Sequence, residues 1–238
     1  PASERARPPR APTLNGLDLG SSALIEAAQT SLGVPDLHAR ITAVFAAAPD
    51  ARVWAVVKAN AYGHGMPEVA TRLLQAGVDC FAVANVAEAA NLREIGHDAD
   101  ILLLSPTLPS ELPRALALGL DITLNSLEEA QALAAAVAKS GLKAKVHVKV
   151  DTGMGRAGVW HEQAAELFAF VQAAGFEWRG VFTHFSDADS DAAYTTNQRA
   201  IFLKLLERIP AAVRSSLMIH ADNSAGLESF SASAPFNA

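Results

Sequence analysis

From residue 50 onward the chain repeats one pattern. A short apolar, β-branched run is followed by an alanine- and leucine-rich stretch of helical period, and the next apolar run begins within about thirty residues. A strand that runs parallel to its predecessor needs a crossover of that length, and a helix fills it. The expected strands are 53–58, 80–84, 101–104, 121–124, 144–150, 180–185 and 217–220, seven in all. Helix punctuation stands between them: Ser126 before Leu127, Glu128 and Glu129 is an N-cap with an acidic first turn, and Gly141 is a C-terminal stop. Successive βα units build a parallel sheet, either open and doubly wound or closed into a barrel of eight strands. Seven strands therefore leave two options, an open sheet or a barrel whose eighth strand lies outside residues 1–238.

At 238 residues, half of them hydrophobic and 18% charged, the chain can bury a large core without disulfides. Its one cysteine, Cys80, excludes an intrachain disulfide and a cysteine-built zinc cluster. No metal site is expected, because the run Asp187-Ala188-Asp189-Ser190-Asp191 lacks the spacing and terminal glutamate of a calcium loop and reads as a solvated loop. No stretch reaches the roughly 18 consecutive apolar residues that a membrane span requires. A net charge of −6 disfavours nucleic acid, which needs a clustered excess of Lys and Arg. Arg5, Arg7 and Arg10 do cluster, but in a Pro-rich lead that reads as a disordered arm over residues 1–13, with 14–238 assigned to the barrel. The N-terminus has no apolar signal core, so the cytoplasm is the expected location, although Pro1 is not a natural start residue.

Four segments carry candidate chemistry. The first, AVVKANAYGHG over residues 55–65, sets Lys58 at the C-terminal end of the first strand, where parallel α/β folds hold their sites. Alternation puts Lys58 on the face of Trp54 and Val56, opposite Ala55 and Val57. An apolar setting favours the neutral amine that attacks an aldehyde, whereas a lysine reaching out to solvent is the plainer reading of this residue alone. The loop Gly63-His64-Gly65 lets backbone approach an anion closely.

The second, KVDTGMGRAG over 149–158, follows the fifth strand, on which Lys145, His147 and Lys149 alternate with three valines. With the valines against helices the cations face inward, and at least one must be paired or neutralised unless the edge is wet. Arg156 follows seven residues after Lys149. In the third, Thr183-His184-Phe185, His184 shares a face with Phe182 and is either a satisfied core histidine or a site group. In the fourth, HADNSAG over 220–226, Asn223 and Ser224 begin a helix after a strand, as caps, as phosphate ligands, or as both.

Together and in this order the four segments resemble the alanine racemase family of pyridoxal-phosphate enzymes (fold type III), above all in residues 55–65. The resemblance implies a (β/α)8 TIM-type barrel followed by a C-terminal β domain, so that this chain is an incomplete barrel of about seven units, with the eighth strand and the β domain outside it. It implies that Lys58 carries pyridoxal 5'-phosphate and handles the proton of the D-isomer. Tyr62 and Ser224 would hold the phosphate, with Asn223 beside them, and His184 would hydrogen-bond within the cofactor network. Lys149 would be carbamylated by carbon dioxide and, as an anion, would orient Arg156 towards the cofactor's phenolic oxygen or the substrate carboxylate.

Racemisation needs a second acid-base group on the opposite face of Cα. In the family this is a tyrosine from the partner subunit of a homodimer, and the two tyrosines here, Tyr62 and Tyr194, lie outside that motif. The implied activity is the interconversion of L- and D-alanine, an isomerase reaction supplying a peptidoglycan precursor, with this chain alone binding cofactor weakly and racemising negligibly. Other readings are a non-catalytic pyridoxal-phosphate barrel for cofactor homeostasis, another enzyme of the same fold type such as a decarboxylase or D-amino-acid lyase, and a domain with no cofactor. The first has no use for the Lys149 and Arg156 pair, the second is disfavoured by the YGHG continuation, and the third requires four incidental motifs.

Overall fold

A computed structural model describes residues 41–42, 44–46, 51–95, 98–221 and 236. Its strands are β1 (Trp54–Val56), β2 (Cys80–Val83), β3 (Asp100–Leu103), β4 (Asp121–Leu124), β5 (Lys145–Asp151), β6 (Val159–Trp160), β7 (Glu177–Phe182) and β8 (Met218–His220). All pair in parallel, in the order β1-β2-β3-β4-β5-β7-β8, with β6 attached to β5. The helices are α1 (Met66–Gln75), α2 (Val86–Glu94), α3 (Leu112–Ala117), α4 (Leu127–Ser140), α5 (Ala164–Ala173), α6 (Ala192–Leu206) and α7 (Ala211–Arg214). Among them no helix is long and apolar enough to cross a membrane.

All seven expected strands form, and they are the seven of the main path. The expected helix signals also hold: the Ser126 side chain accepts from Glu129 N at 3.2 Å, and Gly141 ends α4 at φ 69°. Two differences have local causes. β6 is a two-residue strand with too little apolar sequence to register, made when the chain folds back at Gly158 (φ 120°), where a Cβ would stand 2.8 Å from Asp151 N. The 187–191 loop is not merely solvated: Asp191 caps α6 by accepting from Tyr194 N at 2.9 Å, and Asp187 accepts from the Ser190 hydroxyl.

The sheet sorts its side chains by strand alternation. Ala55 and Val57, Phe81 and Val83, Ile101 and Leu103, Ile122 and Leu124, and Val146, Val148 and Val150 join the apolar core under the helices. The opposite face bounds a lumen. Trp54 of β1 stacks on His220 of β8 (centroids 6.3 Å apart, planes 14° apart), and Arg52 reaches Met218 Sδ at 3.8 Å, so the sheet curls until its two edges touch through side chains. Among the described residues β1 and β8 form no ladder, so the molecule is an incomplete (β/α)8 barrel with six of the ladders that closure requires.

At the N-terminal mouth, Asp100 gathers Arg179 (2.7 Å), Arg52 (3.2 Å) and Lys145 (3.9 Å). Asp79 and Glu177 add second partners for the two arginines.

Candidate active site at the C-terminal mouth of the barrel

Lys58 leaves the end of β1 into a turn of the opposite hand to a normal helix. Ala59, Asn60, Ala61 and Tyr62 all sit at φ between 53° and 55°, and Gly63 follows at φ 90°. Each non-glycine residue in that region costs roughly 1–2 kcal/mol, so the turn persists only where hydrogen bonds over-determine it. Ala61 N donates to Val57 O (2.9 Å), Gly63 N to Ala59 O (2.9 Å) and Gly65 N to Asn60 O (3.0 Å). The Asn60 side chain accepts from Met66 N at 2.8 Å, which pins the start of α1. The Lys58 amine stands 6.0 Å from the centre of the Tyr62 ring, so the turn folds the tyrosine back beside the lysine.

Lys149 projects from β5 on the lumen face, with its amine 5.7 Å from the Phe182 ring centre. Lys145 and His147 lie lower on the same face, near Asp100 and Asp121 respectively. The requirement that an inward cation be paired or neutralised is met at both, by pairing at Lys145 and by burial at His147. At Lys149 no ion pair forms among the described residues. Burial, then the charges of Arg156 and Lys58, push its pKa down to about 8 despite Asp151 nearby. His184 follows β7, which ends at Phe182 rather than 185, and it feels the same field: burial, then Arg156, Lys149 and Lys58, lower its pKa to about 4. The imidazole is therefore neutral at pH 7. Lys58 is half-buried rather than sealed in an apolar slot, and its charge reaches Lys149 and His184. Asn223 and Ser224 lie outside the described residues.

Arg156 is exposed, on a loop that Asp151 holds from below. One carboxylate oxygen of Asp151 accepts from Gly153 N (2.9 Å) and Met154 N (2.8 Å), and the other from Gly155 N (2.8 Å). Thr152 and Thr183 share a hydroxyl hydrogen bond of 2.8 Å, joining this loop to the residue before His184. The Tyr194 hydroxyl donates to Gly153 O at 2.7 Å, tying the loop to α6. Asp151 was legible in principle, since a carboxylate directly before a Thr-Gly-x-Gly turn is a signal for a backbone nest.

Beneath the mouth lies a buried polar stack, of which the strand alternation marked His147 as inward-facing but not its partners Asp121 and His220. His147 Nδ1 is 3.1 Å from His220 Nε2, and His147 Nε2 is 3.5 Å from the Asp121 carboxylate, with His147 and Asp121 both fully buried. Phe182 stacks on His220 at 4.5 Å. Burial holds both imidazoles below their ordinary pKa.

A parallel α/β barrel with lysines, an arginine and a histidine at the C-terminal ends of its strands belongs to the class of α/β barrels, whose sites are built at that mouth. The family model described as "Alanine racemase, N-terminal domain" matches residues 35–238, and the chain belongs to that family. It is 45% identical over 159 residues to the alanine racemase of Limosilactobacillus fermentum, covering 65% of this chain and 43% of that protein. Among solved structures, the alanine racemase of Bacillus anthracis with bound L-Ala-P superposes with a TM-score of 0.77 at 30% identity, covering 86% of this chain and 53% of that one. A histidine racemase from Leuconostoc mesenteroides superposes with a TM-score of 0.71 at 26% identity, covering 87% and 52%. The chain thus spans about half the length of the relatives it matches.

Proposed function

We propose that this chain is the cofactor-bearing half of a pyridoxal-phosphate amino-acid racemase, acting on L- and D-alanine. The observation that carries the reading is the cation cluster at the mouth. The charges of Arg156 and Lys58 bear on Lys149, and all three bear on His184, while Asp151, the carboxylate beside Lys149 among the described residues, is occupied by three backbone N–H groups. Such an excess of positive charge in a partly buried site suits an anionic, phosphate-bearing ligand.

Lys58 would hold the cofactor, with Tyr62 beside it, and Ser224 and Asn223 at the phosphate. When bound, the cofactor supplies an electron sink for the substrate's Cα. The rest falls to the protein. The Lys58 amine would take and return a proton on one face of Cα. His184, held neutral by its surroundings, would serve as a hydrogen-bonding partner rather than a charge.

Lys149, with a pKa near 8, has an appreciable neutral fraction at physiological pH. Its lone pair can form an N–C bond to carbon dioxide with loss of one proton, giving a carbamate that pairs with Arg156 and removes the like-charge contact. For the opposite face, the resemblance implies a tyrosine from a homodimeric partner; Tyr194 is engaged with Gly153 O and Tyr62 lies beside Lys58.

Addition of pyridoxal phosphate is expected to give the absorbance of the lysine-bound cofactor and a borohydride-stable adduct on Lys58. Both should vanish in Lys58→Ala. Given alanine, this chain alone should racemise negligibly. An adduct that persists in Lys58→Ala sinks the cofactor reading, and robust racemisation by the isolated chain sinks the division of labour.

A further inference from the structure

Glu88 is the third residue after the Asn85 cap of α2, and both of its carboxylate oxygens are engaged. Oε2 accepts from Ala84 N at 2.8 Å, at the end of β2. Oε1 accepts from Ala59 N, also at 2.8 Å. The first contact is local helix capping. The β4–α4 unit repeats it, with Ser126 as the cap and Glu129 Oε2 accepting from Asn125 N at 2.8 Å. Capping explains that contact fully.

Capping does not explain the second contact. Glu129 makes its other bond to the Asn125 side chain, within its own unit, through the same oxygen. Glu88 instead crosses from the second βα unit to the first and takes the N–H of the residue immediately after Lys58. Ala59 opens the left-handed turn, whose internal hydrogen bonds begin at Ala61 N and leave Ala59 N without a partner inside the turn. The Ala59 N–H lies on the exposed side of the turn, where water could also satisfy it, yet it points at the Glu88 carboxylate, a strong acceptor. The bond also fixes the peptide plane between Lys58 and Ala59, hence the direction in which the lysine departs from β1.

We propose that Glu88 is a positioning residue for Lys58: its carboxylate locks the left-handed turn at the Ala59 amide and aims the lysine side chain into the barrel mouth. It acts through the backbone and contacts no substrate. The inference rests on the reading of Lys58 as the cofactor lysine.

The test compares wild-type chain with Glu88→Ala, Glu88→Gln and, as a capping control, Glu129→Gln. Two measurements are made on each, the hydrogen-exchange rate of the Ala59 amide by NMR and the rate at which pyridoxal phosphate is trapped on Lys58 by borohydride. In Glu88→Ala the Ala59 amide should exchange faster and trapping should slow by about tenfold, the scale of one charge-assisted hydrogen bond. Glutamine keeps a single acceptor for two donors, so Glu88→Gln should fall between. Glu129→Gln, which disturbs the matching cap on α4, should change neither measurement.

Equal Ala59 exchange in wild type and Glu88→Ala overturns the proposal, and so does equal trapping with faster exchange. If Glu88→Ala does not fold, the same two comparisons are decided on Glu88→Gln. If wild type itself traps no cofactor on Lys58, the cofactor reading has failed, while Ala59 exchange still decides whether Glu88 locks the turn.

Discussion

Lys149 concentrates the chemistry of the mouth in one side chain. Its pKa falls from 10.5 to about 8, so between those values the unfolded chain binds more protons than the folded one. Stability therefore rises with pH across that window, and below about 8 the whole penalty of the buried ammonium is present. In carbon-dioxide-free buffer at pH 7, Lys149→Met should raise stability by roughly 1–2 kcal/mol in urea unfolding. Carbon dioxide should narrow the difference by stabilising the wild type, and an unchanged gap would argue against the carbamate. His184 behaves in the same sense at lower pH. Its neutral form is favoured in the fold, so stability complete above 6.5 is lost as the pH falls towards about 4. His184→Gln should flatten that acid limb of the urea midpoint, leaving the shares of His147 and His220, which are lowered for the same reason, burial.

At the scale of elements, what could be read beforehand was whatever repeats. Seven strands, the Ser126 and Gly141 helix ends and the inward face of β5 all follow from apolar period and punctuation, because burial imposes that period on any sheet covered by helices. The turn after Lys58 could not be read that way. Ala59-Asn60-Ala61-Tyr62 contains no glycine, and its handedness is set by contacts rather than by propensity. β7 shows a third case. It was expected to start at Gly180 but starts at Glu177, because the register against β5 slips between Val146 and His147 and breaks the alternation. Trp178 turns outward to Phe168 (5.3 Å), whereas Arg179 reaches Asp100 and Gly180 also faces the lumen, against His147. A glycine inside a strand is the mark of such a bulge or close approach. A Cβ at Gly180 would run into the His147 ring and stand 2.7 Å from Met218 O, so the backbone of β8 would have to move. Gly180→Ala should accordingly cost roughly 1–3 kcal/mol by denaturant unfolding, as overpacked cores do. A neutral outcome would mean that the bulge can relax and that the His147–His220 stack does not depend on it.

Across the whole molecule the two ends of the lumen carry different burdens. At the C-terminal mouth no ion pair forms at Lys149 among the described residues, and the charges of Arg156 and Lys58 press on it, which costs stability. At the N-terminal mouth the charges balance, with Arg52, Lys145 and Arg179 facing Asp79, Asp100 and Glu177. Asp100 is the centre of that network, about one-fifth exposed and touching β5, β7 and the segment just before β1 through the three cations, so it ties together parts of the sheet that are far apart in sequence. Asp79 contacts Arg52 alone among these cations and is 70% exposed, so solvent already screens most of its effect. Asp100→Ala should therefore destabilise by about 2 kcal/mol, less than a fully buried pair because its partners remain partly wet, whereas Asp79→Ala should change stability by less than about 0.5 kcal/mol. Neither should alter the rate at which pyridoxal phosphate is trapped on Lys58, since barrels of this kind separate the stabilising end from the reactive one. Urea unfolding and borohydride trapping on the same two variants check both halves of the argument. A slowed trapping rate in a folded Asp100→Ala would show that the lower network reaches the upper mouth, with the buried line of Asp121, His147 and His220 as the path between them.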